Sequence, residues 1–368
     1  MDELKLPEQF DGNWENVLIL TFGANLPFFE NSLWRQFRNR CRNKILLVDH
    51  NQFLEACQLY ADNGLVRFLN QKYIADGISI PMSAHAKLIL LTNSEKGKML
   101  VGSGNLNIDG YASGGELFTG YEYDENNSEN LVAFLAVWNF IEEMIERRYI
   151  GPVAIPYLRH LQKQTPWLFR AAPDIRNPVR HNLNSSFIDQ LNDEVSGEPI
   201  EELWILSPFY DEKAQALKTL LEVFSPRKVK ILVQPGRTSL DPVALEKVLS
   251  ESHTAWKVHT CRLKDDHNST YVHAKLYLLK TKNRAICLQG SPNLSNAAIR
   301  LTPPQGNIEL ANLLVGGRKD FDYLFDRLEI DPETLSLATL NIHYDRPEPK
   351  ESLDIGGLKL TGGEWQDD

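Results

Sequence analysis

Residues 85–106 read HAKLILLTNSEKGKMLVGSGNL, and residues 273–294 read HAKLYLLKTKNRAICLQGSPNL. Aligned without a gap, 11 of the 22 positions are identical. Two unrelated segments of ordinary composition share roughly one or two. The polar matches decide the reading: His85 with His273, Lys87 with Lys275, Ser103 with Ser291, and Asn105 with Asn293. Core packing repeats leucines and has no need to repeat His, Lys and Asn. The chain therefore contains one unit twice.

The likeness extends on both sides. Upstream, Val17–Thr21 leads to Phe28-Phe29-Glu30, and Leu203–Pro208 leads to Phe209-Tyr210-Asp211. A helical pattern follows each, then a short β-type run, Lys44–Val48 or Val229–Val233. Downstream, each motif meets a glutamate before an apolar run, at Glu116 and Glu309. This predicts two similar α/β units, over 1–150 and 196–345. Between them, 151–195 reads as a linker. Five prolines (Pro152, Pro156, Pro166, Pro173, Pro178) argue against long regular helix there. An acidic, Pro- and Gly-bearing tail occupies 346–368.

Composition bounds the rest. With 42% hydrophobic and 24% charged residues, the 368-residue chain has the balance of a globular protein. Met1-Asp2-Glu3-Leu4 is too acidic for a leader peptide. No apolar run reaches the roughly 18 residues of a membrane span. A cytoplasmic protein without a membrane partner is expected. Cys41, Cys57, Cys261 and Cys287 are too scattered for a disulfide framework, and free thiols are expected. His253, His259, His267 and Cys261 match no standard metal spacing, so no metal and no cofactor is expected.

The motif residues carry the chemistry. In a strand, His and Lys two apart share a face. The next strand, at Leu100-Val101 or Leu288-Gln289, ends in Gly-Ser and can bring the Asn beside the His. A lone His-x-Lys is an ordinary exposed pair. Two copies with the same spacing, each followed by a Glu, fit the needs of a phosphodiester: a nucleophile, a proton for the leaving group, and donors for the non-bridging oxygens. Two facing halves divide these roles. His85 and His273 do the bond-making and proton transfer. Lys87, Lys275, Asn105 and Asn293 clamp the phosphoryl oxygens in place of a metal ion. Glu116 and Glu309 orient the histidines, with either assignment open, and Ser103 and Ser291 support by hydrogen bonding. Because both motifs lie in one chain, a dimer is not required to complete the site, and the oligomeric state stays open.

These residues resemble the phospholipase D superfamily, whose members carry two such motifs. The Asp that often follows the Lys is missing; Thr92 and Lys280 stand there. In this respect, and in Gly290-Ser291-Pro292-Asn293-Leu294-Ser295-Asn296, the chain is more similar to tyrosyl-DNA phosphodiesterases and to bacterial phospholipase D-like nucleases. The close match covers about 25 residues per half. The resemblance implies a mixed sheet flanked by helices in each unit, packed about a pseudo-twofold axis with the site between them. It also implies a covalent phosphohistidine, with His85 as nucleophile and His273 as acid and then base.

For the substrate, a net charge of −10 argues weakly against nucleic acid. Local basic patches argue for it: Arg35 and Arg38 in the first unit, and Arg147, Arg148, Arg159, Lys163 and Arg170 around the linker, interleaved with aromatics. The expected activity is a DNA or RNA phosphodiesterase. The resemblance also admits a role in phage defence beside a helicase or ATPase partner. Alternatives are end processing of tyrosyl-DNA type, a lipid phosphodiesterase, and a catalytically silent binding subunit.

Overall fold

The computed structural model describes residues 6–37, 41–61, 63–112, 114–264, 270–333 and 337. Arg38, Arg40, His267 and the 346–368 tail lie outside the described residues.

Two mixed sheets organise the chain. The first contains β1 (Asn16–Thr21), β2 (Asn43–Asp49), β3 (Ile74–Ile78), β4 (Leu88–Thr92), β5 (Gly97–Gly102) and β6 (Phe118–Tyr123), in the order β3-β2-β1-β4-β5-β6. The second contains β7 (Val179–His181), β8 (Glu202–Leu206), β9 (Lys228–Val233), β10 (Ala255–Leu263), β11 (Leu276–Lys280), β12 (Arg284–Gly290), β13 (Leu310–Gly317) and β14 (Leu328–Ile330). Its order is β14-β10-β9-β8-β11-β12-β13-β7. Without the two edge strands, it repeats the first sheet strand for strand. In each, the first three strands are parallel to one another and the motif strands run antiparallel to their neighbours.

The strands read as near-continuous apolar runs because both sheet faces are covered. Leu18, Leu20, Ile45 and Leu47 face one core, and Val17, Ile19, Leu46 and Val48 face another. That is the two-residue alternation of a strand buried on both sides. The second sheet divides likewise, with Leu203, Ile205 and Ile231 on one face and Leu206, Leu232 and Leu276 on the other.

The units meet along β5, β6, β12 and β13. Tyr121 Oη donates to Asn312 Oδ1 at 2.7 Å, and Asn312 Nδ2 donates to the Val101 carbonyl at 3.2 Å. Gln289 Nε2 donates to Thr119 Oγ1. Asn312 corresponds to Thr119 and Gln289 to Val101 in the aligned repeats, so these contacts form a crossed pair. Ile308 and Leu310 of the second unit belong to the first unit's core.

The proline-rich connection differs from its expectation. It carries a helix, Ile155–Gln164, with Pro156 in the first turn, where a missing N–H costs nothing. Leu158, Leu161, Trp167 and Leu168 bury against the first sheet. Trp167 Nε1 donates to the Asn93 carbonyl at 2.9 Å. The chain then adds β7 to the edge of the second sheet through β13. No helix among the described residues is long and apolar enough to cross a membrane.

Candidate active site

Both motifs sit at the mouths of their sheets, just ahead of the strands expected to hold them. β4 begins at Leu88 and β11 at Leu276, so each His-x-Lys lies in the extended entry to its strand. That entry is fixed by the opposite unit. His85 N donates to the Ile308 carbonyl, and His273 N donates to the Gly115 carbonyl, each at 2.8 Å. Gly115 has φ 77°, and a Cβ there would lie 2.0 Å from the Tyr271 carbonyl oxygen. The close crossing therefore requires glycine.

The glutamates, left unassigned by sequence, pair across the interface. His85 Nδ1 lies 3.0 Å from Glu309 Oε2, and His273 Nδ1 lies 2.8 Å from Glu116 Oε1. A carboxylate only accepts, so the proton sits on Nδ1 and the Nε2 lone pair faces the site. Each glutamate is held by the serine of its own unit, Ser103 to Glu116 and Ser291 to Glu309. Those serines accept from Leu117 N and Leu310 N, both at 3.0 Å. Asn307 Nδ2 adds a bond to Glu309 at 3.0 Å.

Lys87 and Lys275 are 1% and 0% exposed, so neither is a surface lysine. Each Nζ donates to the carbonyl of its own His at 2.6 Å. Lys275 Nζ also contacts His273 Nε2 at 2.8 Å. Asn105 and Asn293 each leave a buried side-chain Oδ1 without a partner. A buried amide with spare hydrogen-bonding capacity in both halves is what a site awaiting a polar ligand presents.

The electrostatics follow from burial. Burial pushes His85 down to about 4; the charges of Lys87 and Lys275 add to this against the pull of Glu309. His273 is lowered too, by burial and then by Lys275. Burial brings Lys275 down to about 7 and Lys87 well below its ordinary value. Burial raises the two glutamates, and the charge and hydrogen bonds of their histidine partners outweigh it. Burial thus favours neutral imidazoles and weakens the hold of both lysines on their protons, an effect that an incoming anion would offset.

A cavity of about 580 Å³ opens beside this cluster, between the two units. Asn105 and Glu116 of the first unit line it with His273, Tyr271 and Arg237 of the second. The His85 ring lies 5.3 Å from Phe22, and the His273 ring lies 5.4 Å from Tyr271 and 6.2 Å from Phe209. Phe29 and Tyr210, which follow the equivalent strands in the two units, are core, at 0% and 5% exposure.

The basic patches contribute differently from their expectation. None of Arg35, Arg147, Arg148, Arg159, Lys163 and Arg170 lines the cavity. Arg147 pairs with Glu143 at 2.5 Å, Arg159 with Glu142, and Arg170 with Glu125 at 2.9 Å. These acids lie outside the linker, where a count confined to that segment does not see them. Arg35, Arg148 and Lys163 are exposed.

Sequence reasoning missed the side chains that anchor the motifs. Asp49 Oδ2 accepts from Ala84 N, and Gln234 Oε1 accepts from Val272 N, both at 2.9 Å. Thr21 Oγ1 accepts from Leu106 N and Ser207 Oγ from Leu294 N, both at 3.0 Å. A signal was present: each is the first polar residue at the end of a repeated apolar run. Arg237 had no such signal.

No known family model matches this chain, and no curated protein matches it in sequence. Solved structures do match. Phosphatidylserine synthase from Haemophilus influenzae Rd KW20 aligns with a TM-score of 0.53 at 13% identity, over 90% of this chain and 86% of that one. Polyphosphate kinase from Porphyromonas gingivalis aligns with a TM-score of 0.47 at 11% identity, over 94% of this chain. This chain spans about half of that kinase, 48%. At such identities the likeness is one of fold: two units, each a mixed sheet flanked by helices.

Proposed function

We propose that the protein is a phosphodiesterase that cleaves nucleic acid through a covalent phosphohistidine, without needing a divalent metal. One observation carries the reading. Two His–Glu pairs, one buried and one half-buried, are each formed across the unit interface, with two buried lysines and two under-bonded asparagines around them.

The chemistry divides as follows. Glu309 holds the proton of His85 on Nδ1, and Nε2 attacks phosphorus. As the P–Nε2 bond forms, the bond to the leaving oxygen breaks. That oxygen takes a proton from His273 Nε2. The phosphate's charge draws Lys275 Nζ away from His273 Nε2, which lets that nitrogen protonate beforehand. His273 then removes a proton from water, and the hydroxide displaces His85 from phosphorus. Lys87, Lys275, Asn105 and Asn293 hold the non-bridging oxygens throughout.

Support for nucleic acid over lipid comes from the aromatic rings near both histidines and the exposed Arg237 at the cavity. A place in phage defence beside a helicase or ATPase rests on the resemblance of the motifs. The test is incubation with labelled single- and double-stranded DNA and RNA in excess EDTA, beside His85→Ala and His273→Ala. Cleavage in EDTA that both substitutions abolish supports the reading. Cleavage that appears only on adding a divalent metal would refute the metal-free clamp. Hydrolysis of phospholipid vesicles with no cleavage of any strand would move the assignment to a lipid substrate.

A further inference from the structure

The two units share the His–Glu, Ser–Glu and Lys–carbonyl contacts around their histidines; Phe22 packs on His85 where the second unit has Pro208, and three other aligned positions differ beside His273. Ser207 Oγ donates to the Phe209 carbonyl as Thr21 Oγ1 donates to the Gly23 carbonyl, so Phe209 stands where the first unit has Gly23. Tyr271 precedes His273 by the same step as Ser83 precedes His85. Arg237 follows Gln234 as Gln52 follows Asp49, and Gln52 is tied to Glu55 at 2.9 Å. A glycine, a serine and a tethered glutamine on one side thus face a phenylalanine, a tyrosine and an arginine on the other.

Tyr271 and Arg237 line the cavity beside His273, and the Phe209 ring lies 6.2 Å from that histidine. Phe209 is 40% exposed, a large apolar surface beside a catalytic group. Tyr271 and Arg237 both line the 580 Å³ cavity, a volume within the roughly 300–1,000 Å³ of small-ligand sites. Arg237 is exposed and makes no ion pair among the described residues.

From this asymmetry we infer that the His273 side is a leaving-strand subsite for single-stranded polynucleotide: one unpaired base stacks on Tyr271 and Phe209, and Arg237 takes the phosphate next to the scissile one. The inference rests on the phosphodiesterase reading, in which His273 protonates the leaving oxygen. The bound base must be unpaired, because a paired base offers no free face to two aromatic rings. Arginine suits the phosphate through its planar fork of donors.

The test uses the full chain in EDTA with the dinucleotides TpT, pTpT and TpTp and the ribonucleotide set UpU, pUpU and UpUp. One phosphorylated isomer in each set places the added phosphate on the leaving side. Wild type should cleave that isomer with kcat/KM about ten- to a hundredfold above the unphosphorylated parent, the worth of a charged hydrogen bond. Arg237→Ala should collapse the ratio to near one, and Arg237→Lys should restore part of it. Tyr271→Leu should raise KM for TpT more than it lowers kcat. Equal rates on all three dinucleotides by wild type, or a ratio kept by Arg237→Ala, would overturn the subsite. Turnover of bis(p-nitrophenyl) phosphate alone, lost in His85→Ala, would overturn the subsite while leaving a phosphodiesterase. Turnover of neither class would remove the parent reading as well. Matching ratios in both sets mean that the subsite reads base and phosphate and ignores the sugar.

Discussion

Around His85 and around His273 the same backbone is held by side chains that partly differ. Asp49 accepts the N–H of Ala84 where Gln234 accepts that of Val272. Thr21 does for Leu106 what Ser207 does for Leu294. Ile308 faces His85 where Gly115 faces His273. By contrast His, Lys, Ser, Asn and Glu are identical in both halves. Where a position needs only an acceptor at a given point, a carboxylate and an amide serve equally. Where it must move a proton or hold an anion, one residue type stands in both copies. The difference separates the residues that build the site from those that react in it.

The largest effects should show whether structural equivalence hides chemical difference. On nucleic acid, His85→Ala and His273→Ala should each lose about 10²–10⁴-fold or more. On a p-nitrophenyl diester, whose leaving group needs little protonation, His273→Ala should keep much of the first-turnover burst of p-nitrophenolate, though not the steady-state rate, and His85→Ala should lose both. A burst kept by His85→Ala instead would exchange the two roles.

Next come the glutamates. Glu309→Gln and Glu116→Gln should each cost about ten- to a hundredfold, as for other groups that orient a functional imidazole. The crossed geometry adds a sharper readout by NMR. Glu309→Gln should move the imidazole resonances of His85 and leave those of His273 nearly in place. A shift confined to His273 would mean pairing within units.

Asp49 tests the exchangeable class through urea unfolding. Asp49→Ala leaves the buried Ala84 N–H without an acceptor and should cost about 1–3 kcal/mol. Asp49→Gln, which copies Gln234 toward Ala84 but gives up the cap that Asp49 Oδ1 makes on Asn51 N and Gln52 N, should cost about 0.5–2 kcal/mol and less than Asp49→Ala. Equal losses would show that the helix cap, and not the acceptor for Ala84, carries the cost.

The most gradual effect is on stability against pH. His85 falls from an ordinary 6.5 to about 4 on folding. The unfolded chain therefore binds the proton more readily between those values. Stability is at its full level above pH 6.5 and declines as pH falls toward about 4, by at most about 1.4 kcal/mol per unit. His85→Asn should flatten that part of the curve, measured by urea midpoints at fixed pH. An unchanged slope would mean that other groups set the acid response.

Much of this was legible in the sequence because the repeat is its own control. Aligning 85–106 with 273–294 picks out His, Lys, Ser and Asn without any other protein, and the β-type runs give the equivalent strands. The pairing of glutamates was not legible, because it depends on how two units dock, and the aligned halves are symmetric with respect to it. Arg237 was invisible for the opposite reason. It belongs to one half alone, and a method that reads repetition passes over what is not repeated. The acidic partners of Arg147 and Arg159 were not legible either, because Glu143 and Glu142 lie one helix upstream and fold geometry brings them together.

The crossed pairs also set a clock. His85 reaches its partner across 224 residues of chain, and His273 reaches back across 157. On a ribosome adding roughly 5–20 residues per second, His85 waits on the order of 10–45 s for Glu309 to be made. Through that interval the first motif is translated, foldable in outline, and inert. On the proposed reading, an enzyme that cuts polynucleotides, including the message being read, would stay disarmed until both halves have emerged and closed on one another.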